Sequence, residues 1–273
     1  MNTCRTWLTV LILSIAIGGL TGCGSDDGGD TTPAAPSPDA TADTSAHDDG
    51  HEASGTCTDG PGVTPVTPDL TEDASCSLEG TLEGNVFIVN GLVLSEPAND
   101  FLLQILNPVW QTDIAEGRLM LLFKVIEHDV DAGTATLRAG SGCSDGSGSY
   151  EWHVDPSNLK VAVNGCHFET TEPATLSIWP GSMNKAVMVS DLSVAGHFNA
   201  DGTNIVGAFL EGALARTDAE GLIGNLDGLE IPIITFFEDA EVPLDVDLDG
   251  DGEMDAWGMA GDLSAEVTDG EAL

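Results

Sequence analysis

Asn85-Val86-Phe87-Ile88-Val89-Asn90-Gly91-Leu92-Val93-Leu94 and Arg118-Leu119-Met120-Leu121-Leu122-Phe123-Lys124-Val125-Ile126 are the stretches on which the fold is read. Both are short apolar runs with Gly or Asn at their ends, the mark of buried strands. Outward from them, Thr134 to Ala139, Ser149 to Val154 and Leu159 to Val163 alternate in character. The last two are separated by Asp155-Pro156-Ser157-Asn158, where the fixed φ of proline suits a type I turn, so they read as a hairpin. Lys185 to Phe198 and Thr203 to Leu210 flank Asn199-Ala200-Asp201-Gly202, whose Asp-Gly pair is a second hairpin signal. The cadence predicts a mainly β fold, an antiparallel sandwich or barrel with one or two short helices, preceded by a disordered tether.

Helices are expected in two places. Thr217-Asp218-Ala219-Glu220 fits a capping box, and Ala219, Leu222, Ile223 and Leu226 follow at helical spacing. Gly221 and Gly224 weaken that helix by about 1 kcal/mol each relative to Ala. Asn99 to Glu116, with caps at Asn99 or Asn107 and Pro108 at a first-turn position, accommodates one or two more.

Composition divides the chain. Residues 7 to 20 are an apolar run behind a single cation, Arg5, shorter than a membrane span and of the length of a secretory signal core. From Gly24 to about Val66 the sequence is Gly, Asp, Thr, Ala, Pro and Ser, too poor in large apolar groups to offset its chain entropy. Nearly all large apolar residues follow Ser77. The expected division is therefore 1–22 signal peptide, 23–76 anchor and acidic tether, and 77–273 a single β-rich domain. His47-Asp48-Asp49-Gly50-His51-Glu52 places two imidazoles among acids, but in a mobile chain it reads as an unstructured polar segment.

Leu20-Thr21-Gly22-Cys23 resembles the lipobox of bacterial lipoproteins. The resemblance implies cleavage before Cys23, a diacylglyceryl thioether on its sulfur, and attachment to the bilayer through lipid. Gly24 stands where an Asp favours inner-membrane retention in such lipoproteins, so the cell envelope, with the outer membrane favoured, is the expected location.

The chain has 46 Asp and Glu against 7 Lys and Arg, a formal charge of −39. Removing residues 1–22 takes Arg5 and no acid, leaving −40. A field of that sign repels phosphate backbones and anionic headgroups, which excludes nucleic acid and favours cations as partners. Cys4 leaves with the signal and Cys23 is used for lipid. Cys57, Cys76, Cys143 and Cys166 remain, an even number that implies two disulfides outside the cytoplasm. Of three possible pairings, Cys57 with Cys76 and Cys143 with Cys166 closes the shortest loops and is the preferred one.

The strongest chemical motif is Asp245-Val246-Asp247-Leu248-Asp249-Gly250-Asp251-Gly252-Glu253-Met254-Asp255. Alternate carboxylates on a curling, glycine-permitted loop deliver the hard oxygens that Ca2+ takes. Starting at Asp247, the carboxylates of Asp247, Asp249 and Asp251, the carbonyl of Glu253 and the side chain of Asp255 are the expected ligands. A register starting at Asp245 remains open. The pattern resembles the calcium loops of thrombospondin type 3 repeats, dockerins and EF-hands over about a dozen residues. It departs from the EF-hand at Gly258, where a bidentate Glu would stand, and at Pro243, which does not read as an entering helix; a structural loop fits better than a switch.

Catalytic motifs are weak. Gly142-Cys143-Ser144-Asp145-Gly146 matches G-x-S-x-G, but Gly-Ser-Gly-Ser and a strand follow it where a nucleophile elbow needs a helix, and Cys143 is expected in a disulfide; Ser182 to Lys185 has S-x-x-K spacing without a K-T-G partner. His128, His153, His167 and His197 lack metalloenzyme spacing and read chiefly as polar surface residues. Tyr150 and the five tryptophans could form a carbohydrate platform, though Trp110, Trp152 and Trp179 read equally as core. In general character the chain resembles acidic cell-envelope lipoproteins of predatory and social proteobacteria. The leading expectation is a noncatalytic, calcium-stabilised binding or adhesion module for a protein or polysaccharide ligand. The alternative is a lipid-anchored hydrolase without a local motif.

Overall fold

Strand β1 (Val86–Glu96) and helix α1 (Asp100–Ala115) open the folded chain. They are followed by β2 (Leu121–Asp129), β3 (Thr134–Ser144), β4 (Tyr150–Trp152), β5 (Ser157–Asn164), β6 (His167–Thr170), β7 (Ala174–Ile178), β8 (Val187–Phe198) and β9 (Asn204–Ala215). Helix α2 (Arg216–Glu220), the hairpin of β10 (Ile223–Leu226) and β11 (Leu229–Pro232), helix α3 (Ile233–Asp239) and β12 (Ala256–Thr268) complete it. This computed structural model describes residues 58–71, 75–226 and 228–272. The expected signal peptide, Cys23 and Cys57 lie outside the described residues.

Of the two β architectures expected, the chain forms the barrel. Eight strands pair in the order β2-β1-β12-β9-β8-β6-β5-β3, and β3 returns to β2 to close the ring, every pairing antiparallel. Side-chain alternation explains the burial pattern. In β3, Ala135, Leu137 and Ala139 are buried while Thr134, Thr136 and Arg138 turn outward; in β5, Leu159 and Val161 are buried between exposed Asn158 and Lys160. Inward residues from all eight strands join one hydrophobic cluster, since an eight-stranded ring has an interior just wide enough for side chains to fill.

Antiparallel connections place the short turns, at 130–133, 165–166 and 199–203, at one end of the barrel. The other end carries α1, α2, the β10–β11 hairpin, α3 and the Asp-rich loop. Aromatic rings fill the core at each end. At the turn end Phe198 lies with its ring centroid 5.7 Å from Phe87 and 4.7 Å from Phe168. At the helix end Phe237 of α3 lies 4.4 Å from Trp257 of β12.

The Asn99 side chain caps α1 by accepting the Leu102 N–H at 3.0 Å, as expected. Leu102, Leu106, Trp110 and Ile114, four residues apart, bury one face against the barrel core. Pro108 does not open a second helix; it sits inside α1 on its exposed side. The second expected helix is shorter. Only Arg216–Glu220 is helical, without a side-chain cap, and Gly221 ends it; Ile223–Leu226 instead pairs with β11. The expected hairpin between residues 149–154 and 159–163 also differs. Both β4 and β5 pair with β3, at successive positions along it, because β3 is long enough to partner each in turn.

Residues 58–71, part of the stretch assigned by composition to the tether, run along the outside of the barrel as a strap. Bulges at Asn90 in β1 and Val206 in β9 interrupt the ladders to β12. The strap satisfies the carbonyls there, Val66 N–H donating to Asn90 O at 2.8 Å and Asp69 N–H to Val206 O at 3.1 Å. Beneath it the buried Ser264 hydroxyl donates to Asn90 Oδ1 at 2.9 Å. The wall must carry glycine at the contacts: a Cβ on Gly91 would lie 2.1 Å from Val66 O, and one on Gly207 2.1 Å from Asp69 O.

The disulfides correct the short-loop pairing. Cys76 is bonded to Cys166, 90 residues away, where the strap reaches the β5–β6 turn. Cys143 is also disulfide-bonded. Thr58 and Ser144, the residues following Cys57 and Cys143, form an isolated antiparallel bridge. Loop length was the wrong guide because barrel closure brings distant turns together. Peptide mapping without reduction is expected to recover Cys76 joined to Cys166 and Cys57 joined to Cys143, and a Cys57–Cys76 peptide would refute this. Cys76→Ser with Cys166→Ser is expected to lower unfolding stability by about 2–4 kcal/mol, read from urea midpoints, because the closed loop is long.

Candidate metal centre

The Asp-rich loop leaves α3 and returns as β12. Its base is clamped by a bridge between Val246 and Ala256, with Asp255 N–H donating to Val246 O at 2.9 Å and Ala256 N–H at 3.1 Å. Above that clamp the chain curls through Gly250 and Gly252, at φ of 75° and 96°, a conformation that costs glycine little. The curl puts one carboxylate oxygen from each of Asp247, Asp249 and Asp251 within 4.8 Å of the others.

Backbone donors hold these carboxylates in place. Asp247 accepts Gly250 N–H at 2.8 Å on Oδ1 and Gly252 N–H at 2.9 Å on Oδ2. Asp249 Oδ1 takes Asp251 N–H at 3.1 Å, and Asp251 Oδ1 takes Glu253 N–H at 2.8 Å. Asp249 and Asp251 are exposed and Asp247 half-buried. The structure gathers the Asp247 register and not the alternative, because Asp245 lies beyond the clamp and accepts Gly258 N–H at 2.7 Å. Asp255 Oδ1 accepts Leu248 N–H at 2.9 Å, and neither it nor Glu253 joins the converging side chains. Three clustered hard oxygens on a pinned turn fit a divalent cation in donor chemistry. The group could hold a metal ion.

The other motifs stay apart from this loop. Ser144 is buried at the end of β3 with its hydroxyl accepting Gly146 N–H, and strand β4, not a helix, follows the turn. Ser182 donates its N–H to Asp113 Oδ2 at 3.2 Å. Asp113, fully buried, also takes Arg118 Nε–H at 2.9 Å. Burial opposes the charge of Arg118, yet hydrogen bonding to Asp113 and the charges of Asp113, Glu116 and Asp59 hold its pKa above the ordinary value. Among the described residues, neither serine hydroxyl is hydrogen-bonded to a histidine or a lysine. Of the described tryptophans, Trp110 and Trp257 are in the core, and the Trp179 ring lies tilted against that of His153 with centroids 4.3 Å apart.

The histidines are less exposed than the sequence suggests. His128 is buried and accepts Leu82 N–H on Nδ1 at 3.0 Å, helping to close the turn end. His167 and His197 lie directly opposite one another in the β6–β8 ladder, a juxtaposition invisible at their sequence separation. No protein-family model, curated protein or solved structure matches the chain.

Burial depresses the pKa of His153. A histidine that stays neutral in the fold binds fewer protons than in the unfolded chain, so stability falls as pH drops below about 6.5. His153→Gln is expected to remove that part of the acid-side loss, checked by urea unfolding at pH 7.5 and 5.5; an unchanged pH difference would count against it.

Proposed function

We propose that this protein is a lipid-anchored module of the bacterial cell envelope, noncatalytic, binding or adhering to a protein or polysaccharide partner, with its barrel stabilised by calcium. The observation that carries the reading is the convergence of Asp247, Asp249 and Asp251 on a loop clamped at the entrance to β12. Ca2+ would be held by these carboxylates with the Glu253 carbonyl, and Asp255 would serve through water. Its chemistry would be charge neutralisation and cross-linking of the loop.

Anchorage by lipid at Cys23 rests on the likeness of Leu20-Thr21-Gly22-Cys23 to a lipobox. The barrel wall is apolar within, while Thr136, Arg138, Lys160, Glu169 and Glu211 project outward, the reverse of a wall that faces acyl chains. No helix among the described residues is long and apolar enough to cross a membrane. A filled interior favours recognition through the outer surface and loops.

Thermal unfolding of the full chain with Ca2+ and with chelator tests the calcium reading. At Ca2+ about 100-fold above Kd the midpoint should rise by about 5–10 °C, since a ligand confined to the native state stabilises it by about 2.7 kcal/mol. Asp249→Asn with Asp251→Asn should abolish the rise, and an unshifted wild-type midpoint would sink the reading. For the anchor, Cys23→Ser is expected to move the protein out of the membrane fraction; unchanged fractionation would refute it.

A further inference from the structure

We propose that His167 and His197 form a transition-metal site on the outer wall at the turn end of the barrel, selective for borderline cations such as Zn2+ or Cu2+. The two residues are Cα partners in the β6–β8 ladder. Opposed residues of an antiparallel pair carry their Cβ atoms about 4.5–5.5 Å apart, within the reach of two imidazoles closing on one ion. Their neighbours Phe168 and Phe198 turn into the core, so alternation sends both histidines outward.

Outward residues are ordinarily wet, but His197 is only 8% exposed. It lines a cavity of about 650 Å³ together with Asp69 and Thr71 of the strap, Asn164, His167 and the Cys76–Cys166 disulfide. Asp69, which lines the same cavity, adds a carboxylate. Thr71 fixes that carboxylate through Oδ1 alone, with its N–H at 3.0 Å and its hydroxyl at 2.6 Å.

Two imidazoles and a carboxylate are a donor set for Zn, Cu or Ni, whereas the all-oxygen loop before β12 suits Ca2+. The site is therefore chemically distinct from the Asp-rich loop and stands independently of it. The formal charge of −39 would raise the local concentration of any cation the cavity takes.

The test is titration of Zn2+ into the full chain, with Cu2+ electron paramagnetic resonance on the same protein. His47→Ala with His51→Ala provides the background, so that the other imidazole pair in the sequence cannot contribute. One site per chain is expected, with nitrogen couplings from two imidazoles in the Cu2+ spectrum. His167→Gln and His197→Gln should each weaken Zn2+ at least tenfold, while Asp249→Asn with Asp251→Asn should leave it unchanged. Circular dichroism in EDTA checks the folding of the Gln variants; if one misfolds, the spectrum of the unsubstituted barrel decides. Loss of the site with His47 and His51, its survival in both Gln variants, or a spectrum without two-nitrogen coupling would overturn the proposal.

Discussion

Closure of the ring between β1 and β12 is the constraint on which the rest of the structure depends. Every other pairing in the ring joins strands that follow one another around it, whereas this seam joins Val86 to Thr268, near opposite ends of the folded chain. Until it forms, the inward faces of β1, β12 and β9 have no enclosed interior to fill, and α1 has no complete core to cover. The loop entropy of such a distant contact is repaid only when the whole interior is buried at once. The Asp-rich loop stands immediately before the closing strand. Its clamp at Val246 and Ala256, and the bond from Gly258 N–H to Asp245, set where β12 starts. Order in this loop and closure of the barrel are thus linked through the first residues of β12.

The strap acts on the same seam from outside. The bulges at Asn90 and Val206 lie in the two strands that flank β12, and the strap N–H groups of Val66 and Asp69 take the carbonyls at both. Bulges bend and twist a wall, which a small ring needs, but they leave polar groups outside the ladder. A segment with few apolar side chains suffices for this work because its backbone N–H groups take both carbonyls, with Val63 packing on the core. Glycine at 91 and 207 is the corresponding requirement in the wall.

Much of the fold was legible where signals are local. The apolar runs at β1 and β2, the Asp-Gly turn between β8 and β9, and the Asn99 cap of α1 each specify structure within a few residues. The strand reading failed at β12. Its sequence, Ala256-Trp257-Gly258-Met259-Ala260-Gly261-Asp262, is rich in small residues of low strand propensity, and it is a strand because β1 and β9 pair with it on either side. Pairing of β4 and β5 with β3, the Cys76–Cys166 bond and the meeting of His167 with His197 depend on register between distant segments, which composition and spacing do not encode. The carboxylate triad was legible for the opposite reason: its donors, its glycines and its hydrogen bonds all lie within a few consecutive residues.

Charge explains why the staples matter. Arg118 is bound to Asp113 and Glu116, Lys160 to Glu172, and Arg216 to Glu220 and Glu238, so three of the seven cations are already engaged with five of the 46 acids. Exposed pairs of this kind contribute little individually, and the surplus of acid repels itself across the whole surface. The compact state must therefore be held by terms that are indifferent to that repulsion: the buried cluster inside the ring, and covalent bonds across it. Bound cations would be a third such term, one that weakens the repulsion at its source. A carboxylate loop at the helix end and an imidazole pair at the turn end would act on the two ends of the same closed ring, through ions of different chemistry.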